Sequence, residues 1–136
     1  MFSQNPALLW VALLTLLILL FYIVITNHVG TMRGRHHVPA PQMTGHPEFE
    51  RALRIQMNTL EQMVPFLISL WLCALLWNAN IAAILGMFFL LGRIIYTVLY
   101  FKNPSKRLPG FIIGFISTGL LWLGALYGVL RTLLVT

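Results

Sequence analysis

The residues best placed to do chemistry together lie in the stretch Glu50-Arg51-Ala52-Leu53-Arg54-Ile55-Gln56-Met57-Asn58-Thr59-Leu60-Glu61, which runs without a break into an apolar segment. At about 100° per residue on an α-helix, Arg51, Arg54, Asn58 and Glu61 fall within roughly 80° of one another. Two guanidinium forks, an amide and a carboxylate on one stripe form a socket for a small zwitterionic or anionic ligand. Guanidinium groups match carboxylates bidentately, and ionisable side chains leading into a membrane span are rare enough to mark function. A second set follows in Arg93, Tyr96 and Tyr100, with Arg107 beyond a turn that contains Pro104. Arg93 is the costly member, because Phe88-Phe89-Leu90-Leu91 precedes it inside an apolar run. An arginine at that depth faces the bundle interior and finds a partner. Glu61 is the only carboxylate among the spans, so an Arg93–Glu61 pair is expected.

The elements that must position these residues follow from composition. Hydrophobic residues make up 59% of the 136 residues and charged ones only 9%, with a mean hydropathy of +0.84. Ordinary soluble domains carry about 25% charged residues. Apolar segments cover roughly residues 7–26, 57–77, 81–101 and 111–135, each near the ~20 residues that a helical span needs. The fold class is therefore an all-α membrane protein, a bundle of four transmembrane helices occupying residues 1–136 as a single domain. No Lys or Arg precedes the first segment, and it is longer than the apolar core of a cleaved signal, so it reads as a retained span. Cys73 is the sole cysteine, which leaves no intrachain disulfide; it reads as a small packed hydrophobe.

The connection from about Asn27 to Pro47 holds Gly30, Gly34, Pro39, Pro41, Gly45 and Pro47 and is expected to be irregular. It also holds His28, His36, His37 and His46, but no cysteine supports a metal site and the spacing fits no familiar zinc arrangement. No metal is expected. Pro47 with Glu48 and Glu50 suits a helix start. Pro65 should bend the second helix. The connection at Asn78-Ala79-Asn80 is so short that the second and third helices must be antiparallel neighbours. Gly110, Gly114, Gly119, Gly124 and Gly128 punctuate the fourth helix and permit close packing in a bundle or an oligomer.

The net charge of +6 matters through its placement. Arg33, Arg35, Arg51 and Arg54 lie between the first two spans, and Lys102, Lys106 and Arg107 between the last two. By the positive-inside rule both charged loops face the cytoplasm and both termini face the opposite side. Topology alone explains the basic residues, and no nucleic acid is needed. The polar faces of the second and third helices then end at one depth, where Arg54, Asn58, Glu61, Tyr96, Tyr100 and Arg107 converge.

Pro47-Glu48-Phe49-Glu50-Arg51, Arg54-x-Gln56-x-Asn58-x-x-Glu61, Gly92-Arg93-x-x-Tyr96-x-x-x-Tyr100 and Arg107 together resemble the MAPEG family, whose members include microsomal glutathione transferases and leukotriene-C synthase. The resemblance extends over essentially the whole chain. It implies a homotrimer with glutathione as co-substrate, bound between neighbouring subunits near the cytoplasmic face. Carried over by motif position, Arg54, Asn58, Glu61, Tyr96 and Tyr100 hold the tripeptide, with Arg93 in the same set and with Gln56 and Arg33 as further contacts. Arg107 corresponds to the arginine that activates the thiol, and Tyr100 supplies a second hydrogen bond to sulfur. The implied activity is that of a membrane-bound glutathione transferase or peroxidase, acting on hydrophobic electrophiles or lipid hydroperoxides that arrive through membrane lipid. The alternative is a non-catalytic lipid-binding or scaffold member of the same family. A drug–proton antiporter also has four short spans, but the first span here lacks a carboxylate, and arginines around Glu61 would keep it ionised.

Overall fold

A computed structural model of the chain describes residues 2–136. Four helices, each long and apolar enough to cross a membrane, account for nearly all of it: α1 (Pro6–His36), α2 (Pro47–Leu76), α3 (Ala79–Lys102) and α4 (Leu108–Val135), with short 3-10 turns at Phe2–Gln4 and Pro104–Lys106. No strand occurs among the described residues. Local sequence explains the starts of α1, α2 and α3. Asn5 accepts from the Ala7 amide at 3.2 Å with Pro6 in the first turn of α1, and Asn78 accepts from the Ile81 amide at 3.0 Å to open α3. At α2 the cap is an imidazole, since His46 Nδ1 accepts from the Glu48 amide at 3.2 Å. Such caps satisfy orphan amides of the first turn.

α2 and α3 form a hairpin whose corner is Trp77 and Asn78, and both of these amides bond the Cys73 carbonyl, at 3.0 and 2.9 Å. α1 packs on α2 and α3, and α4 packs on the same two helices. The central pair therefore touches every other element. Its core holds stacked Phe66 and Phe89 rings with centroids 3.7 Å apart, together with Val11, Ile18, Leu70, Cys73 and Leu121, all buried. Outward faces carry Leu, Ile, Val and Phe, as expected of a surface solvated by lipid rather than water.

α1 departs from expectation. It does not stop near Thr26 but continues to His36 through Gly30 and Gly34. Each internal glycine costs about 1 kcal/mol relative to alanine, yet Ile25, Val29 and Met32 continue a buried stripe at helical spacing; Val29 and Met32 pack with Val38, Phe49, Ala52 and Leu53, and Ile25 packs with Ile55 and Tyr96. Tertiary burial outweighs the propensity cost. The helix ends where His37 turns left-handed (φ 54°) and the Val38 amide reaches the Arg33 carbonyl at 3.0 Å. α2 is continuous from Pro47 through Pro65, so the charged stripe and the apolar span share one helix.

α4 approaches its neighbours through glycine. A Cβ on Gly110 would fall onto the Tyr96 backbone nitrogen and lie 2.6 Å from the Gly92 carbonyl oxygen. Further along, a Cβ on Gly128 would lie 2.5 Å from the Leu76 carbonyl oxygen, and one on Gly124 2.7 Å from the Trp77 ring. Gly119, by contrast, faces open space. Gly110→Ala should therefore destabilise the bundle by about 1–3 kcal/mol through overpacking, while Gly119→Ala should be neutral or stabilise by up to about 1 kcal/mol; thermal unfolding in detergent reads both.

Candidate functional site

Arg93 is the anchor of the polar region. It is 1% exposed. Its Nη1 donates to Asn58 Oδ1 at 2.9 Å and its Nη2 to Thr59 Oγ1 at 2.7 Å. The guanidinium also lies 4.2 Å from the centroid of the Tyr96 ring, a cation–π arrangement that desolvation strengthens. The expected Arg93–Glu61 pair is not formed. The acceptors come from Asn58 and Thr59, which face α3, whereas Glu61 is exposed on another side of α2. Arg93 also stands behind the cavity described next rather than lining it, so its contacts orient Asn58 and Tyr96.

In front of Asn58 and Tyr96 lies a cavity of about 400 Å³ between α2, the end of α3 and the start of α4. Arg54, Asn58, Tyr96, Tyr100 and Arg107 supply its polar lining, and Leu108 and Phe111 its apolar edge. Tyr96 is buried and Tyr100 half-buried, with ring centroids 5.5 Å apart. Arg107 does not reach the cavity by continuing α3. That helix ends at Lys102, and a turn at Pro104–Lys106, capped by Asn103, brings Arg107 back as the residue before α4. One Arg107 N–H donates to the Pro104 carbonyl at 2.9 Å. No carboxylate is among the lining residues, so two guanidinium groups are uncompensated and the space favours an anion. Its volume is in the range of small-molecule pockets.

Three further residues singled out by sequence stand elsewhere in the chain. Gln56 faces α1, where its amide donates to Thr26 Oγ1 at 3.4 Å and to Tyr22 Oη at 3.5 Å. Arg33 donates to the Gln42 carbonyl at 2.6 Å and the Val38 carbonyl at 3.4 Å, and lies 4.6 Å from the Phe49 ring centroid. It fastens the loop after α1 against α2. Glu61 shares the outer face of α2 with Arg54, Val64, Ile68 and Leu72, all exposed. Thr59 was not singled out by sequence, and a lone threonine beside a polar stripe gives little signal. Leu108 and Phe111 belong to the fourth span and carried none. Among the described residues no group of His, Cys, Asp and Glu is disposed to hold a metal ion.

Comparison with known proteins gives a family match and several relatives. The family model described as MAPEG family matches residues 8–127. An uncharacterized protein of Synechocystis sp. is 46% identical over 90% of this chain and 90% of its own length. Human microsomal glutathione S-transferase 2 is 38% identical over 75% of this chain and 67% of its own, and rat leukotriene C4 synthase is 34% identical over 82% and 73%.

The buried guanidinium yields a test of its own. Thr59→Val should lower stability by about 1.5–3 kcal/mol, the usual worth of a hydrogen bond to a charged group. The loss should vanish in an Arg93→Met background, so that a double-mutant cycle by thermal unfolding shows coupling between the two positions.

Proposed function

This chain belongs to the MAPEG family, and on that premise we propose that it is a membrane-bound glutathione transferase, with peroxidase activity toward lipid hydroperoxides as a second use of the same thiolate. The observation that carries the reading is the cavity in which Arg54, Asn58, Tyr96, Tyr100 and Arg107 meet without a carboxylate. Glutathione presents two carboxylates, an ammonium and a thiol. Arg54 suits a carboxylate, Asn58 and the neighbouring Glu61 suit the ammonium, and Tyr96 lies deepest with Arg93 holding it from behind. A free thiol has a pKa of about 8.5, and an adjacent cation favours the thiolate. A guanidinium keeps its proton near neutral pH and cannot act as a base, so Arg107 works by charge and the thiol proton leaves to water at the membrane face. Tyr100 donates a second hydrogen bond to sulfur. The thiolate sulfur then bonds the electrophilic carbon of a hydrophobic co-substrate; in substitution the leaving group departs with the bonding electrons and the negative charge, and in addition the π-bond electrons shift to the adjacent atom, which takes a proton from water.

The outer face of α2 supports a shared site. A carboxylate at Glu61 among exposed Val64, Ile68 and Leu72 is costly against lipid and is relieved if a second subunit covers it. Arg33 and Gln56, far from the cavity within one chain, are then contributed across the boundary, which accords with a homotrimer. The surplus of Lys and Arg at this end of the bundle supports a cytoplasmic placement for it, with both termini opposite.

Titrating the purified protein with glutathione should produce a thiolate absorbance band near 240 nm at neutral pH, and Arg107→Ala should abolish it and lower kcat about 10²–10³-fold. Binding without the band would indicate a non-catalytic carrier, and absence of binding would defeat the glutathione reading. Sharing between subunits has a separate check: co-expressed Arg54→Ala and Gln56→Ala chains should recover glutathione binding that neither variant shows alone, because mixed assemblies contain intact sites.

A further inference from the structure

A second polar cavity, of about 390 Å³, opens at the same end of the bundle between the last turns of α1 and α3 and the first turns of α2. His28, Met32, Arg35, Glu48, Arg51 and Phe101 line it, and none of them lines the first cavity. Tyr100 faces one space and Phe101 the other. Apolar cover comes from buried Met32 and from the Phe101 ring, which meets the His28 ring edge-on with centroids 5.1 Å apart.

The charges in this cavity are only partly used. Arg51, half-buried, donates through Nη1 to the Phe101 carbonyl at 3.3 Å, and its other nitrogens are uncommitted. Arg35 makes one contact, 3.8 Å to Glu48. Glu48 also meets His36 at 3.4 Å, and His36 stacks on His46 with centroids 3.5 Å apart. The carboxylate is thus engaged from two sides by His36 and Arg35; Arg51 keeps free donors for an anion, and Arg35, held at 3.8 Å through one nitrogen, keeps its remaining donors for the same anion.

Depth identifies the class of anion. His28 follows the apolar run of α1, Arg51 precedes that of α2, and Phe101 closes that of α3. Three helices therefore place the cavity at the boundary between hydrocarbon and water, the level of phospholipid headgroups, and basic pockets between membrane helices are suited to such groups. We propose that this cavity binds the phosphodiester headgroup of an anionic phospholipid, with Arg35 and Arg51 clamping the phosphate and Met32 and Phe101 covering the adjoining glycerol and first methylenes. A headgroup that carries its own ammonium is disfavoured, because the carboxylate that would receive it is already taken. The assignment needs only the membrane setting of the helices and does not rest on glutathione chemistry.

The test is native mass spectrometry of protein released from nanodiscs made of equal parts phosphatidylglycerol and phosphatidylcholine. The wild type should retain phosphatidylglycerol in preference, Arg35→Gln and Arg51→Gln should each reduce that retention about fivefold, and the double variant should show no preference. Arg35 is exposed and its polar contact among the described residues is with Glu48, so its substitution reads the site even if Arg51→Gln fails to fold, which helical circular dichroism reveals. Equal retention of both lipids by the wild type overturns the proposal, as does a preference that survives Arg35→Gln and the double variant. Displacement of the lipid by free glycerol phosphate would show that the cavity reads a soluble phosphate ester, and the lipid assignment would fail.

Discussion

Burial of the Arg93 guanidinium is the constraint on which the polar half of this protein depends. An ion taken out of water must recover its lost hydration from fixed partners, and removing one partner strands the charge. Here the partners are successive residues of α2, Asn58 and Thr59, and an aromatic face one turn along α3, Tyr96. A slide or rotation of α2 against α3 breaks the two hydrogen bonds together. The charge therefore sets the register of the central hairpin and, through it, the orientation of the amide and phenol that face the first cavity. Side chains held from behind in this way are what a precise binding site requires.

A second constraint, steric rather than electrostatic, completes the site. Gly92 and Gly110 let the backbones of α3 and α4 meet with no side chain between them. Arg107 comes only a few residues before Gly110, so that contact determines where its guanidinium lies. With a bulkier residue at either glycine, α4 would stand away from α3 and Arg107 with it. The placement of Arg107, outside the apolar spans, is thus governed by packing inside them.

Much of this was legible from residue types and spacing. The helix count, the α2–α3 hairpin and the shared face of Arg54 and Asn58 follow from hydropathy and a 100° turn per residue. The partner of Arg93 did not follow, because pairing by charge ignores azimuth. On α2, Glu61 lies roughly 160° around the helix from Thr59, and it is the Thr59 side that meets α3. The length of α1 was hidden for a different reason. Gly30 and Gly34 signal a loop locally, and only the burial of Val29 and Met32 against Phe49 reveals that the helix continues. The cavity of Arg35 and Arg51 depends on three chain ends that are far apart in sequence, so no window along the chain displays it.

The first cavity is polar on one side and apolar on the other, and this division bears on why such chemistry belongs in a membrane. Arg54, Asn58 and Arg107 face the end of the bundle where the charged loops lie, while Leu108 and Phe111 form the opposite edge, with Leu108 largely exposed. In the proposed function, a water-soluble thiol would reach the cationic side without entering hydrocarbon. An apolar electrophile dissolved in the bilayer reaches the Leu108 side without entering water. A nucleophile activated at that boundary meets its partner at the partner's own membrane concentration, which far exceeds its concentration in water. On this reading the boundary position, more than any single residue, decides which substrates the site can serve.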